Sequence, residues 1–118
     1  MAGRFDRDWM RGGLDLMVLA ALGEGPLYGY LIQKRIRELS AQRVRLDAGT
    51  LYPLLHRLES SRWVRSRWDD ESGRKRKWYE LTAAGKRQLL KQTGQWRQFS
   101  DCLNRMLDDE EDSAPQPA

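Results

Sequence analysis

The chain has 118 residues, of which 40% are hydrophobic and 32% charged, and its net charge is +4. This length fits one domain, and no apolar run approaches the roughly 20 residues of a membrane-spanning helix. The N-terminal residues lack the apolar core of a signal peptide. The single cysteine, Cys102, has no partner for an internal disulfide, so we expect a reducing, cytoplasmic environment.

The positive charge is concentrated in the first 107 residues. Five consecutive acidic residues occupy positions 108–112, and no lysine or arginine follows them. Residues 1–107 therefore hold 21 basic and 12 acidic side chains, a net charge of +9. A basic domain followed by an acidic tail indicates a polyanionic partner. The tail, residues 108–118, is expected to be disordered.

Helical periodicity predicts two helices in the first 40 residues. Apolar residues between Leu14 and Leu22 recur at i, i+3, i+4, i+7 and i+8, which predicts a helix over about 11–22. The Gly-Glu-Gly-Pro run at 23–26 ends it. A second helix is predicted to begin near Leu27 and to continue to Leu39. Gly29 lowers helix propensity in its first turn, so we expect close backbone packing at that position.

A third helix is predicted after Asp47, a natural N-cap. Its leucines recur at i, i+3, i+4 and i+7 and form one apolar stripe: Leu51, Leu54, Leu55 and Leu58. The opposite face has no acidic residue and carries Thr50, Tyr52, Pro53, His56 and Arg57. Such a helix suits the major groove of DNA. On periodicity alone an ordinary amphipathic surface helix is the better interpretation, so the neighbouring elements must decide.

Two extended runs, 63–68 and 77–81, flank a polar loop and predict a β-hairpin. Beside Gly73 the hairpin carries four consecutive cations, Arg74 to Lys77. Such a tip can follow a phosphate backbone or enter the minor groove, although a cationic run taken alone is more often a solvated loop. Trp68 and Trp78 are predicted to form a cross-strand pair, and Trp63 is predicted to lie beneath the hairpin.

A long final helix is predicted over 83–107, with Thr82 as its N-cap. Large apolar side chains recur along it about every 3.5 residues, at Leu89, Trp96, Phe99, Leu103 and Met106. A single helix with such a seam predicts a second copy of the same chain as its partner. We therefore interpret these five residues as a dimer interface.

Several motifs in this sequence resemble the PadR family of bacterial transcription regulators. They are Gly25-Pro26-Leu27-Tyr28-Gly29-Tyr30, Gly49-Thr50-Leu51-Tyr52-Pro53 with the helix that follows, and Tyr79-Glu80-Leu81-Thr82-Ala83-Ala84-Gly85. The resemblance covers about residues 11–107, and the single C-terminal helix is similar to the short subclass of that family. One difference is that family members usually have a glycine shortly after the third helix, where this chain has Ser61, Arg62 and Trp63.

The resemblance implies a mainly α fold with a small β-hairpin wing. It implies a winged helix-turn-helix over residues 1–82, a dimerisation helix over 83–107 and the acidic tail. It also implies a homodimeric repressor whose third helix enters the major groove while the wing touches the backbone or the minor groove. By position, the DNA contacts carried over are Tyr28, Gln33, Lys34, Thr50, Tyr52, His56, Arg57, Arg74, Lys75, Arg76 and Lys77.

Some PadR-like regulators bind flat aromatic or phenolic compounds between the dimer helix and the DNA-binding domain. The resemblance thus suggests a small aromatic inducer, and Trp96 is the residue that would stack on it. The simpler interpretation is that Trp96 only fills the interface.

Other functional classes receive less support from the sequence. One histidine, His56, and one cysteine offer neither a zinc site nor a nucleophile with its base, so we predict no enzyme, no metal and no cofactor. Two alternatives to a specific regulator remain. The first is a non-specific double-stranded DNA-binding protein, and the second is a winged-helix protein-interaction module.

Overall fold

Four α-helices and three β-strands make up the computed structural model, which describes residues 13–70 and 73–112, with side chains as far as Asp108. In chain order the elements are α1 (Leu14–Ala21), β1 (Leu27–Tyr28), α2 (Gly29–Leu39), α3 (Ala48–Ser60), β2 (Val64–Asp69), β3 (Arg76–Leu81) and α4 (Ala83–Asp112). The strands form one antiparallel sheet in the order β1-β3-β2. This architecture confirms the predicted winged helix-turn-helix with a long C-terminal helix.

One hydrophobic core joins the three short helices to the hairpin. The four leucines of α3 are all buried, as their spacing predicted. The other helices and the sheet add Val18, Leu19, Ile32, Ile36, Val64, Tyr79 and Leu81. Because strand side chains alternate between the two faces of a sheet, Tyr79 and Leu81 face this core while Trp78 and Glu80 lie on the outer face.

The two predicted helix caps are confirmed. The Asp47 carboxylate accepts a hydrogen bond of 2.8 Å from the backbone N–H of Thr50, at the start of α3. At the start of α4, the Thr82 hydroxyl accepts from the Gly85 N–H at 2.9 Å and donates to the Arg62 carbonyl at 2.7 Å. Each cap satisfies a backbone donor that the first turn of a helix leaves unpaired.

The second helix begins two residues later than predicted. Leu27 and Tyr28 form β1 instead, opposite Tyr79 and Trp78 of β3. Gly29 starts α2, and a Cβ atom there would lie 2.1 Å from the Tyr52 hydroxyl. Close packing therefore explains this glycine, as the sequence suggested, although the neighbour is the side chain of Tyr52.

The turn from α3 into β2 forms without the glycine that the family usually has. Arg62 adopts a left-handed conformation with φ +63°. Its N–H donates to the Glu59 carbonyl at 2.9 Å, and the Trp63 N–H donates to the Leu58 carbonyl at 3.1 Å. These bonds satisfy carbonyls at the helix end, so an arginine here occupies the conformation that glycine adopts most readily.

The predicted pairing of Trp68 with Trp78 is wrong. In the hairpin register Trp68 lies opposite Lys77, and Trp78 lies opposite Arg67. The two tryptophans are thus offset by one residue and lie on opposite faces of the sheet. Trp78 instead makes an edge-to-face contact with Tyr28 at 5.1 Å between ring centroids.

Trp63 lies where it was expected, half-buried against the core below the hairpin. Its carbonyl accepts a hydrogen bond of 3.0 Å from the Thr82 N–H. A Cβ atom on Gly85 would come within 1.9 Å of the same carbonyl oxygen. Only glycine therefore permits the first turn of α4 to lie this close to the backbone of the turn between α3 and β2.

The final helix is longer than predicted. α4 continues to Asp112, so the acidic segment expected to be disordered from residue 108 is helical over its first five residues. Extending an existing helix costs far less than nucleating one, which explains the continuation. Residues 113–118 of the predicted tail lie outside the described residues. Within the described part of the chain, no helix is long and apolar enough to cross a membrane.

Candidate nucleic-acid interface

We call the hairpin of β2 and β3 the wing. A groove of about 850 Å³ lies between α3 and the wing. It brings together seven of the eleven predicted DNA contacts: Tyr28, Tyr52, His56, Arg74, Lys75, Arg76 and Lys77. Gly29, Tyr30, Trp68 and Tyr79 complete the lining. Among the described residues the lining includes four cations and no carboxylate. We call it the basic groove.

Tyr52 and His56 form the helical wall of the basic groove. They are exposed on α3 and one turn apart, so their side chains lie on the same face. The Tyr52 hydroxyl lies against Gly29, at the junction of β1 and α2. Both side chains can exchange hydrogen bonds with base edges or phosphate oxygens.

Glu59 fixes the wing relative to α3. Its carboxylate accepts a hydrogen bond of 2.8 Å from the Ser66 hydroxyl and lies 4.0 Å from the Lys77 ammonium. Burial of Tyr79 between these elements raises its pKa to about 12, and the negative charge of Glu59 and the nearby Tyr52 add to the shift. The shift moves the ionisation of this phenol further above physiological pH, where a tyrosine is neutral in any case.

Aromatic rings lie beside three of the four wing cations. The Arg76 guanidinium lies 4.5 Å from the centroid of the Tyr28 ring. The ammonium groups of Lys75 and Lys77 lie 5.3 and 5.8 Å from the Trp68 ring. Exposed cation–π contacts contribute about 0.5–1 kcal/mol each. A ring does not neutralise the charge beside it, although the Lys77 ammonium also lies near the Glu59 carboxylate.

The other four predicted contacts lie outside the lining of the basic groove and have partners within the chain. The Gln33 amide donates to the Leu46 carbonyl at 2.9 Å, which ties α2 to the segment before α3. Lys34 lies 3.9 Å from Glu38 one turn further along α2. Thr50 is half-buried, and its N–H belongs to the Asp47 cap.

Arg57 is engaged more directly. Its guanidinium forms an ion pair and a hydrogen bond with Asp15 on α1. The sequence did not predict this contact, because Asp15 lies 42 positions before Arg57 and the periodicity of α3 does not reveal so distant a partner.

Sequence reasoning also missed Trp68 as a groove residue. The register of β2 against β3 would have identified it. Trp68 lies opposite Lys77, so it is on the inner, core-facing side of the sheet together with Tyr79. Periodicity within either strand does not determine that register.

The predicted dimer residues fall into two groups. Leu89 packs against the core of its own chain, and its Cδ2 would lie 3.4 Å from a Cβ on Gly23. Trp96, Phe99, Leu103 and Met106 are between 40% and 62% exposed. The rings of Trp96 and Phe99 are 6.1 Å apart at their centroids. Beyond the winged domain, α4 therefore presents an apolar stripe.

Comparisons with known proteins agree with this geometry. Residues 18–91 match the model of the transcriptional regulator PadR-like family. A PadR family transcriptional regulator from Eggerthella lenta is 37% identical, with a TM-score of 0.72 and coverage of 85% of this chain and 86% of the other. A transcriptional regulator from Clostridium thermocellum is 30% identical, with a TM-score of 0.76 and coverage of 83% and 96%. A transcriptional regulator from Mycobacterium tuberculosis is 34% identical over 70% of this chain and 75% of its own length.

Proposed function

The chain belongs to the PadR-like family of transcriptional regulators, and on that basis we propose that this DNA-binding protein acts as a homodimeric, sequence-specific repressor in the cytoplasm. The observation that carries the proposal is the basic groove. It joins the polar face of α3 to four wing cations on one concave surface. A surface of this shape and charge suits a DNA duplex whose major groove receives α3.

The two walls of the groove have different roles in this proposal. Arg74, Lys75, Arg76 and Lys77 contact phosphates, which gives affinity without sequence preference. Tyr52 and His56 reach base edges, which gives preference. Arg57 joins them once Asp15 releases it, and a guanidinium can bond guanine in bidentate fashion. Thr50 adds to this face from the first turn of α3, and Tyr28, Gln33 and Lys34 support it from β1 and α2.

Dimerisation follows from the exposed stripe of α4. Trp96, Phe99, Leu103 and Met106 lie within eleven residues, and the first and last of them are about 15 Å apart along the helix. Pairing with a second copy removes this apolar surface from water. Leu89 fixes α4 to the winged domain, so the orientation of the dimer helix sets the separation of the two basic grooves. Half-sites about 10 base pairs apart would suit such a dimer.

The same stripe offers a place for a small aromatic inducer. Trp96 and Phe99 present two exposed rings, and a planar compound that inserts beside them would change the angle between the winged domains. In the simpler alternative Trp96 only fills the interface. Titration of planar aromatic compounds with wild type and Trp96→Ala, followed by tryptophan fluorescence, separates the two. If no compound in a broad panel perturbs the wild type, the inducer is refuted.

Fluorescence anisotropy on labelled duplexes tests the main proposal. One duplex carries the promoter of the protein's own gene and the other a scrambled version, each titrated at several salt concentrations. A preference of about 10³ or more is the ratio expected of specific readout. Equal and steeply salt-dependent binding would indicate a non-specific DNA-binding protein. No binding at low salt would favour a protein-interaction module.

Variants that remove a charge from the wing or the hydroxyl group from Tyr52 test the roles of the two groove walls. Replacing Arg74, Lys75 and Arg76 with alanine should weaken binding to both duplexes and lower the salt slope by roughly 0.9 per lost contact. Tyr52→Phe should instead change the ratio between the duplexes. Alanine at Lys86 and Arg87, exposed cations outside the groove, is the matched control and should change little. The reverse pattern would show that the roles are misassigned.

A further inference from the structure

Trp68 lies on the inner, core-facing side of the wing, but the protein core does not cover its side chain. Its neighbours on that face are buried, with Val64 2% and Tyr79 3% exposed, whereas Trp68 is 60% exposed. Ser66, two residues earlier, still contacts Glu59 at the end of α3. Two strand residues span about 7 Å, so the Trp68 ring lies just beyond the point where α3 supports the wing.

The surroundings of Trp68 are cationic. Lys77 lies opposite it in the hairpin register, and Lys75 lies two residues before Lys77, just ahead of β3. Both ammonium groups lie within 6 Å of the indole centroid. An exposed ring accompanied by two cations is poorly suited to a neutral protein partner and well suited to a polyanion that has apolar surface between its charges.

We propose that Trp68 is a DNA contact in which the indole packs on a deoxyribose while Lys75 and Lys77 pair with phosphates beside it. This inference rests on the proposed DNA-binding function. In a nucleic acid strand sugars and phosphates alternate, so each apolar sugar has one charged phosphate on either side. The Trp68 ring and the two ammonium groups beside it match this combination of an apolar sugar and two phosphates. The contact adds affinity at any sequence, because every nucleotide carries the same sugar.

The competing explanation is that Trp68 only holds the two lysines in place. The two explanations differ in their salt dependence. An apolar contact with sugar releases no counterions, so its loss lowers affinity without changing the salt slope. Misplaced lysines would lose phosphate contacts and reduce the slope as well.

The experiment measures dissociation constants of wild type, Trp68→Ala, Trp68→Phe and Lys75→Ala for the promoter duplex and its scrambled control over a range of salt. Trp68→Ala should bind both duplexes about tenfold more weakly with the wild-type slope, a factor equivalent to losing ~60 Å² of apolar contact. Trp68→Phe should lose less, because it keeps an aromatic ring. Lys75→Ala should lower the slope by about 0.9.

Trp78→Phe is the matched control, since Trp78 lies on the outer face of the same hairpin and packs on Tyr28. It should leave both affinities unchanged, and thermal melts confirm that each variant is folded. Wild-type affinity in Trp68→Ala, or a reduced slope in that variant, would overturn the proposal. So would a loss confined to the promoter duplex, which would indicate base reading. If the wild type binds neither duplex, the proposed DNA-binding function itself is refuted. That result differs from the outcomes described above for the Trp68 variants.

Discussion

The left-handed turn at Arg62 predicts that glycine at this position stabilises the protein. A residue with a Cβ atom pays about 1–2 kcal/mol to occupy the left-handed region, and Arg62 does so with φ +63°. Glycine removes that cost, but its greater freedom in the unfolded chain lowers the stability of the folded protein by about 0.4–1 kcal/mol. Arg62 is exposed, so little packing is lost. The net expectation for Arg62→Gly is a gain of about 0.5–1 kcal/mol.

The adjacent residue supplies a control of opposite sign. Ser61 is also exposed but has φ −78° and ψ −4°, which any residue adopts without strain. Ser61→Gly therefore gains nothing in the folded state and should lose about 0.4–1 kcal/mol through the unfolded state. Arg62→Ala, which removes the side chain and keeps the strain, should lie near the wild type.

Thermal unfolding followed by circular dichroism measures these differences. For a domain of this size 1 kcal/mol corresponds to about 4–8 °C in Tm, so Arg62→Gly should melt about 2–8 °C higher. All variants must be compared at one protein concentration, because the proposed dimerisation would make Tm concentration-dependent. A lower Tm for Arg62→Gly, similar to that of Ser61→Gly, would refute the left-handed turn and the reasoning built on it.

Three further predictions concern contacts that fix the groove. Gly85→Ala should cost about 1–3 kcal/mol, measured by urea denaturation, since its Cβ would lie 1.9 Å from the Trp63 carbonyl; a Gly94→Ala control, with open space around it, should show no loss. The raised pKa of Tyr79, about 12 against 10.0, favours the neutral phenol in the folded state, so its stabilisation is complete below pH 10 and disappears as pH rises to 12. Wild type should then lose on the order of 2 kcal/mol more than Tyr79→Phe across that window, and parallel stability curves would contradict this. Asp15→Asn should release Arg57 and strengthen DNA binding about two- to fivefold, because an exposed ion pair holds it with at most about 1 kcal/mol; unchanged affinity and salt slope would show that Arg57 makes no DNA contact.

Local sequence signals predicted most of the fold because they coincide with tertiary packing here. The leucine stripe of α3 faces the core, and the side chains of Asp47 and Thr82 cap the helices that follow them. Strand β1 was missed because two residues are too short to show alternation. Its existence depends on pairing with β3, a partner about 50 residues away in sequence. Helix α2 therefore begins only after that pairing ends.

The site was predictable in part for the same reason. The wing cations, Tyr52 and His56 lie close to motifs that a single segment displays, and they do line the groove. The hydrogen bond from Gln33 to Leu46 and the ion pair from Arg57 to Asp15 join different elements. No periodicity within one helix encodes such partners. The hairpin register, which brings Trp68 to the groove, is likewise set by the pairing of two strands.

The position of α1 limits how the proposed inducer can act. α1 lies against α4 and holds Arg57 of α3 through Asp15, so α1 connects α4 to α3. The ion pair at the end of that connection is exposed at Arg57 and is worth at most about 1 kcal/mol. Allosteric coupling between ligand sites is typically 1–3 kcal/mol. Release or capture of Arg57 therefore supplies only the smaller part of such a coupling. In the proposed dimer the larger part must come from the separation of the two winged domains, because the paired α4 helices would hold both of them and a changed spacing would remove one whole basic groove from its half-site.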